Sequence, residues 1–118
     1  LLFGLGTWID RYLQPVAMSQ PSYFKDSKTL KNMMTSNTYP SDAVLFMADA
    51  VSMYTNIQTR PAIRSIIQHL KDINYKEVPI KMMSEALEIC MTKSAFTFGD
   101  ETFLQLQGTA MGTPPAPP

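Results

Sequence analysis

The sequence predicts an α+β fold from three patterns along the chain. Residues 43–50 form an apolar run without polar alternation, which is typical of a strand covered on both faces. Two later stretches, from residue 59 and from residue 78, carry apolar residues at helical spacing. Phenylalanines alternate with threonine before a tight turn over residues 99–101, which predicts a β-hairpin. Helices, a strand, two helices, a hairpin and a loop in this order make an α+β layout.

Residues 1–42 predict a helical segment that precedes this unit. One helical face is formed by Trp8, Ile9, Tyr12, Leu13 and Val16. Pro15 marks the last turn of that helix. A second, short helix is predicted to begin at Ser27, with Ser27 or Asp26 as its N-cap. Its inward-facing residues are Leu30, Met33 and Met34. The polar stretch 35–42 is typical of a loop. We therefore divide the chain into residues 1–42 and 43–118.

The two helices after the strand have clear apolar stripes. Thr59 is a candidate cap of the first, Pro61 lies near its first position, and Asn74 ends it. Its stripe consists of Ile63, Ile66, Ile67, Leu70 and Ile73. The second helix starts at residues 78–79, and its stripe consists of Met83, Ala86, Leu87, Cys90 and Met91. Both helices are therefore expected to bury one face.

Composition limits the function classes. The 118 residues are 45% apolar, enough for one domain or a large part of one. Ten basic and ten acidic residues cancel, so the chain lacks the net basic charge typical of nucleic-acid-binding domains. The single Cys90 excludes an internal disulfide and a cysteine-rich zinc site, and the single His69 cannot build a metal site alone. This cysteine usage favours an intracellular location.

The two ends of the sequence bear on membrane association and on whether the chain is part of a longer protein. The apolar start, residues 1–10, is too short to cross a membrane and lacks the basic leader of a signal peptide. We therefore expect no membrane partner. The chain does not begin with Met, and the proline-rich stretch 112–118 stops in mid-pattern. We expect both ends to be cuts in a longer protein.

Asp49 is the first candidate for chemistry, because a carboxylate at the end of an apolar strand is costly without a partner, a metal or a proton. Mg²⁺ prefers carboxylate and carbonyl oxygens. A strand end would supply the Asp49 carboxylate and the Ala50 carbonyl on a rigid support. The alternative is that Asp49 caps a turn or pairs with a lysine.

Tyr54 and a glycine-bearing segment are the other candidates. An aromatic ring beside a nucleotide can stack under the sugar and exclude a 2′-hydroxyl, although a core aromatic is the better interpretation of Tyr54 taken alone. Gln107, Gly108 and Gly112 lie where glycine would let the backbone approach a template base or a nucleotide closely. The alternative is an ordinary loop. No Lys-Ser/Thr pair follows, so the segment is not a phosphate-binding P-loop.

Two linked motifs resemble the palm of a reverse transcriptase. The string ADAVSMYTNI is followed further along by FTFGDETFLQLQGTAMGTPPAP, in an order most similar to Penelope-like retroelements. That family has an Asp-Val-x-Ser-Leu-Tyr-Thr-Asn-Ile motif, an apolar hairpin, and then Gly-Thr-Ala-Met-Gly-Thr-x-x-Ala-Pro. The first motif matches Asp49, Ser52, Tyr54, Thr55, Asn56 and Ile57, and the second matches Gly108, Thr109, Ala110, Met111, Gly112, Thr113, Ala116 and Pro117.

The resemblance implies a partial polymerase palm preceded by a helical fingers-to-palm segment. It implies that Asp49 is catalytic as the first metal-binding aspartate, and that the carbonyl of Ala50 binds the second Mg²⁺. It implies that Tyr54 is the steric gate against ribonucleotides. The implied partners are an RNA template, a DNA primer and a deoxynucleotide, and a nuclear location is compatible. The primer 3′-hydroxyl would attack the α-phosphate, and pyrophosphate would leave.

The implied nucleotide and template contacts fall on the second motif. Gln107 and Gly108 would contact the incoming nucleotide, and Gly108 and Gly112 the template. The family's Tyr-x-Asp-Asp turn is expected after Pro118, as are the thumb and, elsewhere, the fingers arginine and lysine. We therefore expect the 118 residues alone to be inactive. One alternative is a non-catalytic remnant or domesticated module that binds nucleic acid or protein; another is an unrelated helical interaction protein. The sequence does not specify the oligomeric state.

Overall fold

The computed structural model of the chain describes residues 2–93 and 95–104. These residues form five helices and two strands in the order α1 Leu2–Met18, α2 Ser27–Thr35, α3 Met53–Asn56, α4 Thr59–Asp72, α5 Ile80–Thr92, β1 Ala95–Phe98 and β2 Glu101–Leu104. The sheet in the described residues is the two-stranded β1–β2 hairpin. This part of the chain is therefore mainly helical, and the larger sheet of a palm is not formed within it.

The core is a packing of three helices with α5 at its centre. α5 packs against both α4 and α1. The side chains that are completely buried are Ile9 on α1, Leu70 on α4, and Met83 and Leu87 on α5. Each such side chain contributes roughly 1.5–3 kcal/mol by leaving water. All five residues of the predicted α5 stripe are buried, which confirms the prediction for this helix.

α1 buries the face that its sequence predicted. Ile9 and Val16 are buried, while Trp8 and Tyr12 are half-buried against the same core. The Trp8 and Tyr12 rings lie 5.1 Å apart with their planes tilted by 58°, a favourable aromatic arrangement. Pro15 lies in the last turn of the helix, as expected, and α1 continues to Met18.

α4 begins one residue earlier than its predicted cap implies. Gln58 is the N-cap and Thr59 the first helical residue, so Thr59 is not the cap. The helix ends as predicted, with Asn74 in the left-handed region at φ 55°. The Asn74 N–H donates to Lys71 O and the Tyr75 N–H to Leu70 O. This pair of hydrogen bonds forms a Schellman motif, which satisfies carbonyl groups at the helix end.

α2 stands apart from the helical core. Asp26 is its N-cap, and the Asp26 carboxylate accepts from the Thr29 N–H at 2.7 Å. Leu30 is half-buried, but Met33 is 46% exposed, so the prediction that Met33 turns inward is wrong. The reason is that none of the other described helices or strands packs against α2, so its apolar face lacks a surface to bury against.

The predicted strand over residues 43–50 is not formed. This stretch has no regular secondary structure and is exposed along its whole length. Val44, Phe46 and Met47 are 87%, 83% and 94% exposed. A strand needs a hydrogen-bonding neighbour, and no described residue supplies one to this stretch. We call residues 43–51 the Asp49 segment below.

The predicted hairpin is confirmed. β1 and β2 pair antiparallel, and Phe98 lies opposite Glu101, which leaves a loop of two residues, Gly99 and Asp100. Gly99 has φ 65°, a value that the first loop residue of such tight hairpins needs and that glycine adopts without steric cost. Glu101 is the first residue of β2 rather than part of the turn.

Candidate functional site

Asp49 and Ala50 lie in the exposed Asp49 segment, between the loop that follows α2 and the start of α3. Both residues are exposed. No hydrogen bond or ion pair joins the Asp49 carboxylate to another described residue. The expected cost of a buried carboxylate therefore does not arise here. The alternative that Asp49 pairs with a lysine is also not seen among the described residues.

The turn after Asp49 is built by side chains of the same motif. Ser52 is the N-cap of α3 and has a left-handed backbone, with φ 48° and ψ 47°. Asn56 donates from Nδ2 to Val51 O at 3.2 Å, and Thr55 donates from Oγ1 to Ser52 O at 3.1 Å. The backbone N–H groups of Thr55 and Asn56 also donate to Ser52 O. Thr55 and Asn56 match the first motif, but the resemblance implies no role for either residue. Their tendency to bond nearby backbone groups was the signal available.

Tyr54 lies on α3, five residues after Asp49, and its side chain is half-buried. The Tyr54 side chain is thus neither fully buried in the core nor fully exposed to solvent. Tyr54 and Asp49 are close in sequence, and the turn at Ser52 lies between them. The role of Tyr54 as a steric gate stays a prediction. Gln107, Gly108 and Gly112 lie outside the described residues.

A magnesium site is incomplete within the part of the chain that the structure describes. No group of three histidine, cysteine, aspartate or glutamate side chains there is arranged to hold a metal ion. Mg²⁺ demands near-octahedral oxygen coordination, commonly from one or two carboxylates together with water and phosphate. Asp49 supplies one carboxylate and belongs to no such group of three among the described residues. Asp49 and Ala50 therefore do not fit Mg²⁺ as a complete site by themselves.

Three surface clefts lie along the core helices, and none of the three is lined by Asp49 or Tyr54. The first has a volume of about 640 Å³ and follows α4 from Pro61 to Asp72. The second, about 380 Å³, lies between Arg60 and Lys93, where Arg60 and Glu88 form an exposed ion pair at 3.4 Å. The third, about 580 Å³, joins Tyr12 of α1 to Tyr75. The clefts therefore do not extend the candidate site.

Asp26, Tyr75 and Cys90, which lie outside the Asp49 segment, have shifted pKa values. Hydrogen bonds from the Thr29 backbone and side chain lower the pKa of Asp26 at the start of α2. Burial raises the pKa of Tyr75, and the charge of Glu77 adds to this. Burial also raises the pKa of the Cys90 thiol. A buried thiol with a raised pKa is a poor nucleophile, so Cys90 has the character of a core residue.

The searches for relatives found none. No protein-family model matches the chain, and no curated protein or solved structure matches it either. Among the described residues, no helix is both long enough and apolar enough to cross a membrane.

Proposed function

We propose that the chain is part of the palm of a reverse transcriptase, an RNA-directed DNA polymerase, most similar to those of Penelope-like retroelements. One observation carries this proposal. The motif around Asp49 and Tyr54 is followed, in the family's order, by the motif from Gly108 to Pro117. Two linked motifs are far more specific than either motif alone.

The segment between the two motifs supports the proposal. α4, α5 and the β1–β2 hairpin follow the first motif in the order that an α+β palm requires. The hairpin lies immediately before the second motif, as in the family. α4, α5 and the hairpin are the parts of the predicted α+β layout that the structure contains after the first motif. The central strand at the Asp49 segment is part of the proposal.

The exposure of the Asp49 segment is consistent with a strand that needs neighbours. Val44 and Phe46 would lie on one face of such a strand and Leu45 and Met47 on the other. All four are at least 74% exposed. A strand with two apolar faces is stable only inside a sheet covered on both sides. We propose that the neighbouring strands carry the paired aspartates that the resemblance places after residue 118.

In that arrangement, Asp49 supplies one carboxylate of a shared Mg²⁺ site, and Ala50 offers its backbone carbonyl. The substrates are a deoxynucleotide, an RNA template and a DNA primer. Because Asp49 is a single carboxylate, we expect the 118 residues alone to lack polymerase activity. The Asp49 carboxylate forms no hydrogen bond or ion pair with any described residue, so its charge is available to bind the metal.

Primer extension by the chain together with its natural continuation tests the proposal. We expect Mg²⁺-dependent DNA synthesis on an RNA template, no synthesis by the 118 residues alone, and loss of synthesis in the Asp49→Asn variant. Asp42→Asn, in the exposed loop before the Asp49 segment, is the matched control and should remain active.

Synthesis by Asp49→Asn would contradict the metal role of Asp49, and synthesis by the 118 residues alone would contradict the shared site. A natural continuation without a Tyr-x-Asp-Asp turn would instead favour a non-catalytic module that binds nucleic acid or protein.

A further inference from the structure

The backbone of Ser52 is strained, and it lies between the two residues to which the proposal gives roles. Its φ of 48° and ψ of 47° place it in the left-handed region. For a residue with a Cβ atom, this conformation costs about 1–2 kcal/mol. Such a conformation persists only where the surrounding structure fixes it, and it is found preferentially at functional sites.

Two side chains fix the turn around Ser52. Asn56 donates from Nδ2 to Val51 O at 3.2 Å, and Thr55 donates from Oγ1 to Ser52 O at 3.1 Å. These bonds reach two successive carbonyls at the strained position. Ser52 O also accepts from the backbone N–H groups of Thr55 and Asn56, at 3.2 and 3.1 Å. The contact of Asn56 differs from the others because it extends beyond Ser52 toward Asp49.

Among the described residues, hydrogen bonds and core packing hold the turn on its α3 side and not on the side of Asp49. After α3, Ile57 packs against the helical core and Thr59 is buried at the start of α4. Before the turn, residues 44–50 make no hydrogen bond with any described residue. Within the described part of the chain, the bond from Asn56 Nδ2 to Val51 O is therefore the hydrogen bond that lies closest in sequence to Asp49 on its α3 side. The direction in which the chain leaves toward Asp49 depends on it.

We propose that Asn56 is a positioning residue, which holds the left-handed turn at Ser52 and thereby sets Asp49 relative to Tyr54. This inference rests on the proposed function, because it gives the turn the task of aligning a metal-binding carboxylate with the nucleotide-facing ring. A misplacement on the order of 1 Å in such a constellation costs about 100-fold in rate. One side-chain amide is thus sufficient to influence both metal binding and sugar selection.

The first test uses the 118-residue chain and nuclear magnetic resonance. In Asn56→Asp the donor is lost, and we expect a changed HN–Hα coupling at Ser52 and about tenfold faster amide exchange at residues 55–57. Asn37→Asp is the matched control, because Asn37, just after α2, donates from Nδ2 to Met33 O at 2.8 Å in an exposed hydrogen bond. Adding Ser52→Gly to Asn56→Asp should restore the turn, since glycine adopts the left-handed region freely.

The second test uses the complete polymerase. Asn56→Asp should lower kcat about 10- to 100-fold and change the ratio of deoxynucleotide to ribonucleotide incorporation, and Ser52→Gly should restore both. Asn37→Asp should change neither. An unchanged Ser52 coupling in Asn56→Asp overturns the inference at the level of the turn. A lost turn with unchanged kinetics overturns its positioning role. Failure of the proposed function is distinct, because the unsubstituted polymerase would then make no DNA.

Discussion

At the residue scale, Tyr54 is the position where the proposed function makes its most selective prediction. The ring is half-buried on α3, so part of it faces solvent near the Asp49 segment. In the complete polymerase, Tyr54→Ala should admit ribonucleotides, because the small side chain leaves room for a 2′-hydroxyl. Tyr54→Phe retains the ring and should preserve discrimination. Incorporation of matched deoxy- and ribonucleotides measures this, and unchanged discrimination in Tyr54→Ala would assign the gate to another residue.

Tyr75 makes a prediction about stability rather than function. Its hydroxyl donates to Tyr12 O at 2.7 Å and ties the end of α4 to α1. Tyr75→Phe removes this bond and should lower the free energy of unfolding by about 1 kcal/mol at neutral pH. Tyr39→Phe, at a residue that is 53% exposed, should change it little. Denaturant unfolding of the three proteins measures the difference.

The pH dependence of the same pair has a defined sign. Burial, then the charge of Glu77, raises the pKa of Tyr75 above its ordinary value of 10.0. As the pH rises, the Tyr75 hydroxyl therefore loses its proton in the unfolded chain before it does so in the folded chain. The contribution of Tyr75 to the free energy of unfolding is constant below pH 10.0 and falls as the pH rises through the folded-state pKa. The stability difference between wild type and Tyr75→Phe should narrow over that alkaline range. A constant difference would contradict the raised pKa.

At the element scale, α5 carries the core, and its stripe can be tested by one substitution. Leu87 is completely buried on α5, which packs against both α1 and α4, whereas Met82 on the same helix is 53% exposed. Leu87→Ala should destabilise the chain by about 2–5 kcal/mol through lost burial and a cavity. Met82→Ala should cost less than about 0.5 kcal/mol. Equal effects of the two substitutions in denaturant unfolding would contradict the central place of α5.

The same scale explains which elements the sequence predicts. The stripes of α1, α4 and α5 are local patterns, and any partner helix satisfies them, so they are predictable from spacing alone. The hairpin is equally local, because Gly99 determines its turn. The strand at the Asp49 segment is different. Its apolar residues indicate two covering layers, and strand formation depends on partners distant in sequence that the described residues do not supply.

In the candidate site too, some features can be predicted from the sequence and others cannot. Asp49 and Tyr54 were recognisable because their residue types fit a chemistry, and the structure leaves their roles as proposals. The hydrogen bonds of Thr55 and Asn56 were not predicted, since a side chain that bonds its own neighbouring backbone leaves no periodic pattern. The left-handed backbone of Ser52 is equally hard to predict from the sequence, because serine has no marked preference for that conformation.

At the scale of the whole molecule, the Asp49 segment is a long apolar stretch that the other described residues leave uncovered. Val44, Leu45, Phe46 and Met47 are each at least 74% exposed. Contiguous apolar patches of this kind are rare on soluble monomers.

The surface predicts that the 118-residue chain associates with itself through the Asp49 segment. Residues 43–48 are all apolar, include the β-formers Val44 and Phe46, and contain no charge, no proline and no glycine, as do segments that pair between chains. Sedimentation velocity should show the average mass rising with concentration. Phe46→Glu should raise the concentration needed for association at least about tenfold, because a charge interrupts the apolar run.

Met82→Glu is the matched control for this prediction, since it adds the same charge at a side chain that is 53% exposed on α5. It should associate as the wild type does. Circular dichroism should be alike for all three monomers, because Phe46 is 83% exposed and lies outside the helical core. A wild-type chain that stays monomeric throughout the concentration range would contradict the prediction. Equal effects of both substitutions would place the contact on another surface.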